Sequence, residues 1–158
     1  MSIKNGETNT EFDALAVGEA QSDQDALARI FREQQWGLSF SPTISESRDR
    51  LVDQQIPVII CEACLPDGGW DHLFGLTETL PAPPVFIVTS RLADEDLWCT
   101  ALNLGAFDVL CTPFERREVA HVVRCAWDSW RNRDGKRKRT DAGSPPKLRG
   151  MGAGSSPL

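Results

Sequence analysis

Glu62 closes the apolar run Val58-Ile59-Ile60-Cys61, and the turn Leu65-Pro66-Asp67-Gly68-Gly69 follows it closely. A continuous apolar run of this kind fits a strand buried on both faces, and open α/β sheets place their chemistry at the carboxyl ends of such strands. A carboxylate there has the chemistry of a nucleophile or of a cation ligand. Cys61 and Cys64 flank it with C-x-x-C spacing, and Cys111 ends another apolar run. Redox motifs of that spacing open a helix, whose dipole lowers the thiol pKa, whereas these cysteines leave a strand toward a loop. A zinc site would need a second C-x-x-C or a His pair, and His72 and His121 stand apart on predicted helices. No metal site is predicted. Five cysteines make an odd count that argues against a closed disulfide framework. Cys61, Cys99, Cys111 and Cys125 fall in predicted regular structure and are expected to pack as small buried hydrophobes in a reducing compartment.

The elements that would position Glu62 can be traced along the chain. Phe12 to Val17 reads as a first strand, with Gly18-Glu19-Ala20-Gln21 leaving it and Ser22 or Asp23 capping a helix that carries Leu27, Ile30 and Phe31. Trp36 to Phe40 is a short second strand. Ser45 or Ser47 opens a helix to about Gln54, with Leu51 and Val52 inward. Ile56 to Glu62 is the third strand; Leu73, Leu76 and Leu80 mark the next helix, which Pro81 stops. Val85 to Ser90 is a fourth strand. A helix from about Asp94 then presents Leu97, Ala101 and Leu104, with Gly105 at its end. Phe107 to Thr112 is a fifth strand. Val119, Val122, Val123, Ala126, Trp127 and Trp130 give the last helix, Glu115 to Arg131, the clearest helical period in the chain. Five strands alternating with five helices predict a doubly wound α/β domain with a parallel sheet in the order 2-1-3-4-5 and helices on both faces, the flavodoxin-like arrangement.

Composition bounds the rest. A chain of 158 residues fits one domain with tails, and no apolar run approaches the roughly 20 residues of a membrane span. Residues 1–11 are polar and aperiodic and are expected to be disordered; no signal peptide is legible, so a cytoplasmic protein is expected. Residues 132–158 read as a flexible basic tail rich in Gly, Ser and Pro, unable to form an effector domain of their own. From Arg131 onward eight Lys and Arg oppose two Asp, so this end carries +6 of a total of −6 and the body carries −12. An acidic body whose basic run, Lys136-Arg137-Lys138-Arg139, has no aromatic residue to stack on bases makes nucleic acid an unlikely partner.

With the elements placed, the segment from Phe12 to Arg131 resembles a response-regulator receiver domain of the CheY-like family. Pro57 to Pro66 is similar to the family's strand-three run, in which an aspartate lies four residues before the proline. Val85 to Ser90 resembles its fourth strand, ending in a hydroxyl, and Asn103 to Phe114 its glycine-alanine turn, fifth strand and lysine-proline-phenylalanine ending. The resemblance implies transfer of a phosphoryl group from a histidine kinase to an aspartate with Mg²⁺, a hydroxyl and a lysine assisting. Here the phosphoacceptor position is Glu62, one methylene longer. The acidic pair falls at Glu19-Ala20 or at Ser22-Asp23, each with one acid missing. The lysine position is Thr112 and the switch aromatic is Val109, while Thr89 keeps the hydroxyl. The turn after Glu62 is one residue shorter than the usual form.

The resemblance therefore implies an atypical receiver, a pseudo-receiver that keeps the fold and lacks most of the phosphorylation equipment. It is expected not to be an enzyme, to bind Mg²⁺ weakly or not at all, and to need no cofactor. Its expected role is protein contact in two-component phosphorelay signalling, with a histidine kinase or another signalling protein as partner and a homodimer as a further option. Trp98, Trp127 and Trp130 are the candidate interface residues, with Trp127 in the core and Trp130 exposed. The alternatives are a phosphoryl-accepting receiver with unusual ligands, and a thiol- or metal-responsive regulator built on Cys61, Cys64 and Cys111.

Overall fold

The computed structural model describes residues 12–92 and 94–143. Five parallel strands form the sheet: β1 (Asp13–Val17), β2 (Gly37–Ser41), β3 (Val58–Glu62), β4 (Val85–Ser90) and β5 (Asp108–Cys111). Their order is β2-β1-β3-β4-β5, as the alternation of elements predicts. The helices are α1 (Gln21–Gln34), α2 (Ile44–Asp53), α3 (Trp70–Thr77), α4 (Glu95–Leu104) and α5 (Arg116–Gly143). Between β3 and α3, Cys64–Leu65 and Gly68–Gly69 pair as a small antiparallel hairpin outside the main sheet.

Successive side chains of a strand point to opposite faces, and this alternation divides the core in two. Ala14, Ala16, Val58, Ile60, Ile87 and Leu110 pack against α1 and α5. Leu15, Val17, Ile59, Cys61, Phe86, Val88 and Val109 pack against α2, α3 and α4. The central strands are buried on both faces because both are covered by helices, which is why β3 and β4 carry uninterrupted apolar runs. Pairing in register sets Glu62 beside Thr89 and Ser90 beside Cys111, so the carboxyl ends of β3, β4 and β5 form one rim.

Local details depart from expectation for identifiable reasons. The N-cap of α1 is Ala20, with no side-chain cap, in place of Ser22 or Asp23. Thr43 caps α2 by accepting from the Glu46 N–H at 3.1 Å, in place of Ser45 or Ser47. Ile44, Ser47 and Leu51 form the buried stripe of α2, so Val52, rotated about 100° beyond Leu51, is 74% exposed. Leu104 is half exposed because the chain reverses at Gly105 (φ 121°), leaving Ala101 and Ala106 to fill the core beside β5. Asp94 caps α4 through the Leu97 N–H at 2.9 Å, where the sequence puts the start of that helix.

Trp130, expected to be exposed, is only 8% exposed, because Val119, Val123, Ala126 and Trp130 continue one stripe along α5. Trp127 is half-buried, stacked between Phe12 (4.8 Å) and Trp130 (5.8 Å). Helix α5 runs on to Gly143, into the stretch from Asn132 that composition assigns to a flexible tail. Residues 1–11 and 144–158, read above as disordered and flexible, lie outside the described residues.

Candidate functional site

The rim opens into a crevice of about 180 Å³ lined by Ala20, Asp23, Glu62, Ala63, Cys64, Thr89, Ser90, Arg91 and Thr112. A narrower extension beneath it reaches Gly18, Gln24 and Phe114. The fold thus brings together Glu62, Thr89, Thr112, Ala20 and Asp23, five of the positions that the sequence singles out. Glu19 and Ser22 are exposed and do not line it.

Glu62 is half-buried and lines the crevice, with its carboxylate against the Gly18–Ala20 segment that follows β1. Its Oε2 accepts a hydrogen bond from the Ala20 N–H at 3.1 Å. Ala20 is the N-cap of α1, so the carboxylate sits at the positive end of that helix and satisfies the N–H of the N-cap residue. The route passes over Gly18, where φ is +152° and a Cβ would occupy the space of the Glu62 carboxylate. Gln24 Nε2 donates to the Gly18 carbonyl at 2.9 Å and closes the same loop. Glycine at 18, backbone N–H at 20 and the extra methylene of Glu62 form one interlocking unit.

The other positions have different environments. Thr89 is buried at the floor, beside Glu62 in the ladder. Thr112 is 6% exposed, and its Oγ1 is buried without a hydrogen-bond partner. Val109 is buried in the core shared with α4, with no aromatic ring to move. Arg91, the residue after β4, lines the crevice and is exposed. The family resemblance points to a cation only after β5, whereas the sequence also carries this basic residue directly after the Thr89-Ser90 hydroxyl end. Among the described residues, no group of three or more His, Cys, Asp and Glu converges as a metal-ligand set.

The cysteines do not form a cluster. Cys61 is buried in the α2–α4 side of the core, where burial, then the neighbouring Glu62 charge, pushes its thiol pKa well up. Cys64 is exposed at the crevice mouth, on the other side of the strand end. Cys111 is also exposed, making long 3.7 Å contacts with the Arg91 and Thr112 carbonyls. Cys99 is exposed and Cys125 half-buried, so of the four cysteines expected as core filler only Cys61 is fully buried. Residue type alone overstates their burial, since Cys99 and Cys111 fall on the outward phase of α4 and at the end of β5.

This is the fold of response-regulator receiver domains. It is similar to the signal receiver domain of an HD domain-containing protein from Pseudomonas fluorescens Pf-5, at 17% identity over 84% of this chain and 98% of that one, TM-score 0.72. The beryllofluoride-activated NtrC4 receiver domain dimer matches at 23% identity, over 75% of this chain and 98% of that one, TM-score 0.68. A Saccharomyces cerevisiae receiver domain, solved with its histidine phosphotransfer signalling protein, matches at 14% identity, over 70% of this chain and 85% of that chain, TM-score 0.62. No protein-family model and no curated protein matches the chain. Among the described residues, no helix is long and apolar enough to cross a membrane.

Proposed function

We propose that this chain is a receiver-fold interaction module of two-component signalling that works by protein contact, without phosphorylation. The observation that carries this reading is the Glu62–Ala20 hydrogen bond: the carboxylate at the phosphoacceptor position is already engaged as a helix cap. Mg²⁺ requires a near-octahedral oxygen shell, and the crevice offers Asp23 together with a Glu62 turned toward α1. Thr112, the position at which the resemblance implies a lysine, brings no cation, and Val109, at the switch-aromatic position, has no ring to rotate. Two of the similar structures are a receiver dimer and a receiver bound to a phosphotransfer protein, which supports protein contact as the mode of action here. The surface offered for it is α4, where Trp98 is 46% exposed behind an acidic first turn containing Glu95 and Asp96.

Acetyl phosphate with Mg²⁺ followed by intact mass measurement tests the reading. The expected spectrum is unmodified protein; a labile adduct that disappears in Glu62→Gln would overturn it. The alternative of phosphoryl acceptance with unusual ligands draws on one observation, that the basic residue Arg91 lines the crevice, and that same adduct would establish it.

A further inference from the structure

A hollow of about 500 Å³ lies at the edge of the sheet opposite the crevice, where β4 begins and the chain enters β5. Its volume falls within the roughly 300–1,000 Å³ of small-ligand sites, whereas the crevice, at about 180 Å³, falls below that range. The sequence accounts for the opening. Helix α3 ends at Thr77, and Pro81, Pro83 and Pro84, which have no N–H to give a helix, carry the chain down one wall into β4. Gly105, which ends α4, lines the hollow with no side chain; a Cβ there would meet Phe74 Cζ at 2.8 Å, so the glycine leaves that ring uncovered.

The lining is aromatic with a few polar groups. Phe74 meets Phe86 edge-on at 5.4 Å, and Phe107 adds a third ring. Such rings pack best against another planar apolar surface, edge to face or offset. Thr77 Oγ1 is engaged with the Phe74 carbonyl, to which it donates at 2.7 Å. Ser129 and Arg133, one turn apart on α5, bring a hydroxyl and a guanidinium to the same side. Arg133 Nη2 donates to the Pro83 carbonyl at 3.3 Å, which ties the end of this side chain to the proline wall. A guanidinium has five N–H donors in a planar fork, so it can hold that carbonyl and a ligand carboxylate together. Glu78 also lines the hollow, just beyond α3, and would repel a ligand carrying a second negative charge.

We propose that this hollow binds a small planar aromatic monocarboxylate, with its ring system among Phe74, Phe86 and Phe107 and its carboxylate on Arg133 and Ser129. The site does not depend on the proposed function, because Glu62 lies at the other end of the strands.

The test is an amide NMR titration of the full chain with cinnamate, with its neutral amide cinnamamide, and with the dianion p-carboxycinnamate. The expected result is saturable binding of one cinnamate per chain, with the amide signals of Gly105, Ala106, Phe107 and Ser129 shifting most. Cinnamamide and the dianion should each bind about tenfold more weakly, the first for want of a charge to meet Arg133 and the second because of Glu78. Arg133→Gln should weaken cinnamate by about tenfold, and Arg133→Lys by less, since it keeps the charge and loses the fork. Ser129→Leu, which fills the hollow, should abolish binding, and circular dichroism checks that this variant is folded. Trp98→Ala should bind as the parent does, which separates the hollow from the exposed ring on α4. The proposal is overturned if cinnamate gives no saturable shifts on the unaltered chain, or if the shifts cluster away from those amides. It is equally overturned if either control ligand binds as tightly as cinnamate, if Arg133→Gln or a folded Ser129→Leu binds undiminished, or if Trp98→Ala loses binding.

Discussion

The carboxylate of Glu62 is a helix cap: its Oε2 receives the Ala20 N–H at 3.1 Å across the carboxyl end of β1. That contact links the centre of the sheet to the start of α1 and satisfies the N–H of its N-cap residue, Ala20. Glu62→Asp withdraws the oxygen by one methylene and strands both the N–H and the helix end. It should cost about 1 kcal/mol in urea unfolding, whereas Glu62→Gln, which keeps an acceptor at the same reach, should cost less. A loss in Glu62→Gln with none in Glu62→Asp would assign the effect to charge and not to the reach of the acceptor.

Gly18 is the second half of that contact. An added Cβ would meet the Glu62 carboxylate, and the backbone there has φ +152°. Gly18→Ala should destabilise the fold by roughly 1–3 kcal/mol. The clash and the strain can be separated by a double-mutant cycle with Glu62→Ala, which empties the space. Partial recovery of the Gly18→Ala loss in the double variant is expected; strict additivity would show that the carboxylate does not occupy that space.

How much of this was legible in the sequence depended on the length scale of the signal. The order of the five strands followed from alternating apolar runs and helical periods, because each buried strand or amphipathic helix repeats its signal over many residues. The place of Glu62 at a strand end is legible from the apolar run before it, whereas Thr89, Val109 and Thr112 are singled out by the resemblance to receiver domains. Where a side chain turned was less visible. Nothing in the spacing of Glu62 and Ala20, 42 residues apart, announces a hydrogen bond. Nearness to a helix end suggests exposure for Trp130, but the i, i+4, i+7, i+11 stripe from Val119 carries it inward.

Thr112 offers a prediction of opposite sign. Its hydroxyl is buried with no hydrogen-bond partner, so folding removes it from water without compensation. Thr112→Val keeps the shape and deletes the polar atom, and should raise stability by about 1 kcal/mol, seen as a higher urea midpoint at unchanged slope. A lower midpoint would mean that the hydroxyl does find a partner in solution.

The exposed ring of Trp98 belongs to the proposed contact surface. Being 46% exposed, it contributes little to the core, and Trp98→Ala should leave the urea midpoint within about 0.5 kcal/mol of the parent. Capture of a cognate histidine kinase or phosphotransfer protein, measured by biosensor, should weaken at least tenfold, since truncating an aromatic anchor commonly removes more than about 1.4 kcal/mol of binding. Unchanged capture by a folded variant would move the contact surface away from α4.

Asp67 ties the hairpin after β3 to the start of α2, and its effect should depend on pH. Its two carboxylate oxygens accept from the Ile44 N–H at 2.9 Å and the Ser45 N–H at 3.1 Å, meeting helix donors that Thr43 leaves free. Those bonds, the one from Ile44 first, hold the Asp67 carboxyl below the ordinary aspartate range. A depressed folded pKa means that the unfolded chain takes up the proton first as acid is added. The stabilisation is therefore fully present above the unfolded value of about 3.9 and is lost as pH falls through the lower folded value. Asp67→Ala should melt below the parent at pH 7, and the gap should narrow steadily below about pH 4 as the parent loses the charged acceptor. A gap that stays constant from pH 7 to pH 2.5 would show that the ionised carboxylate is not what holds the two N–H groups.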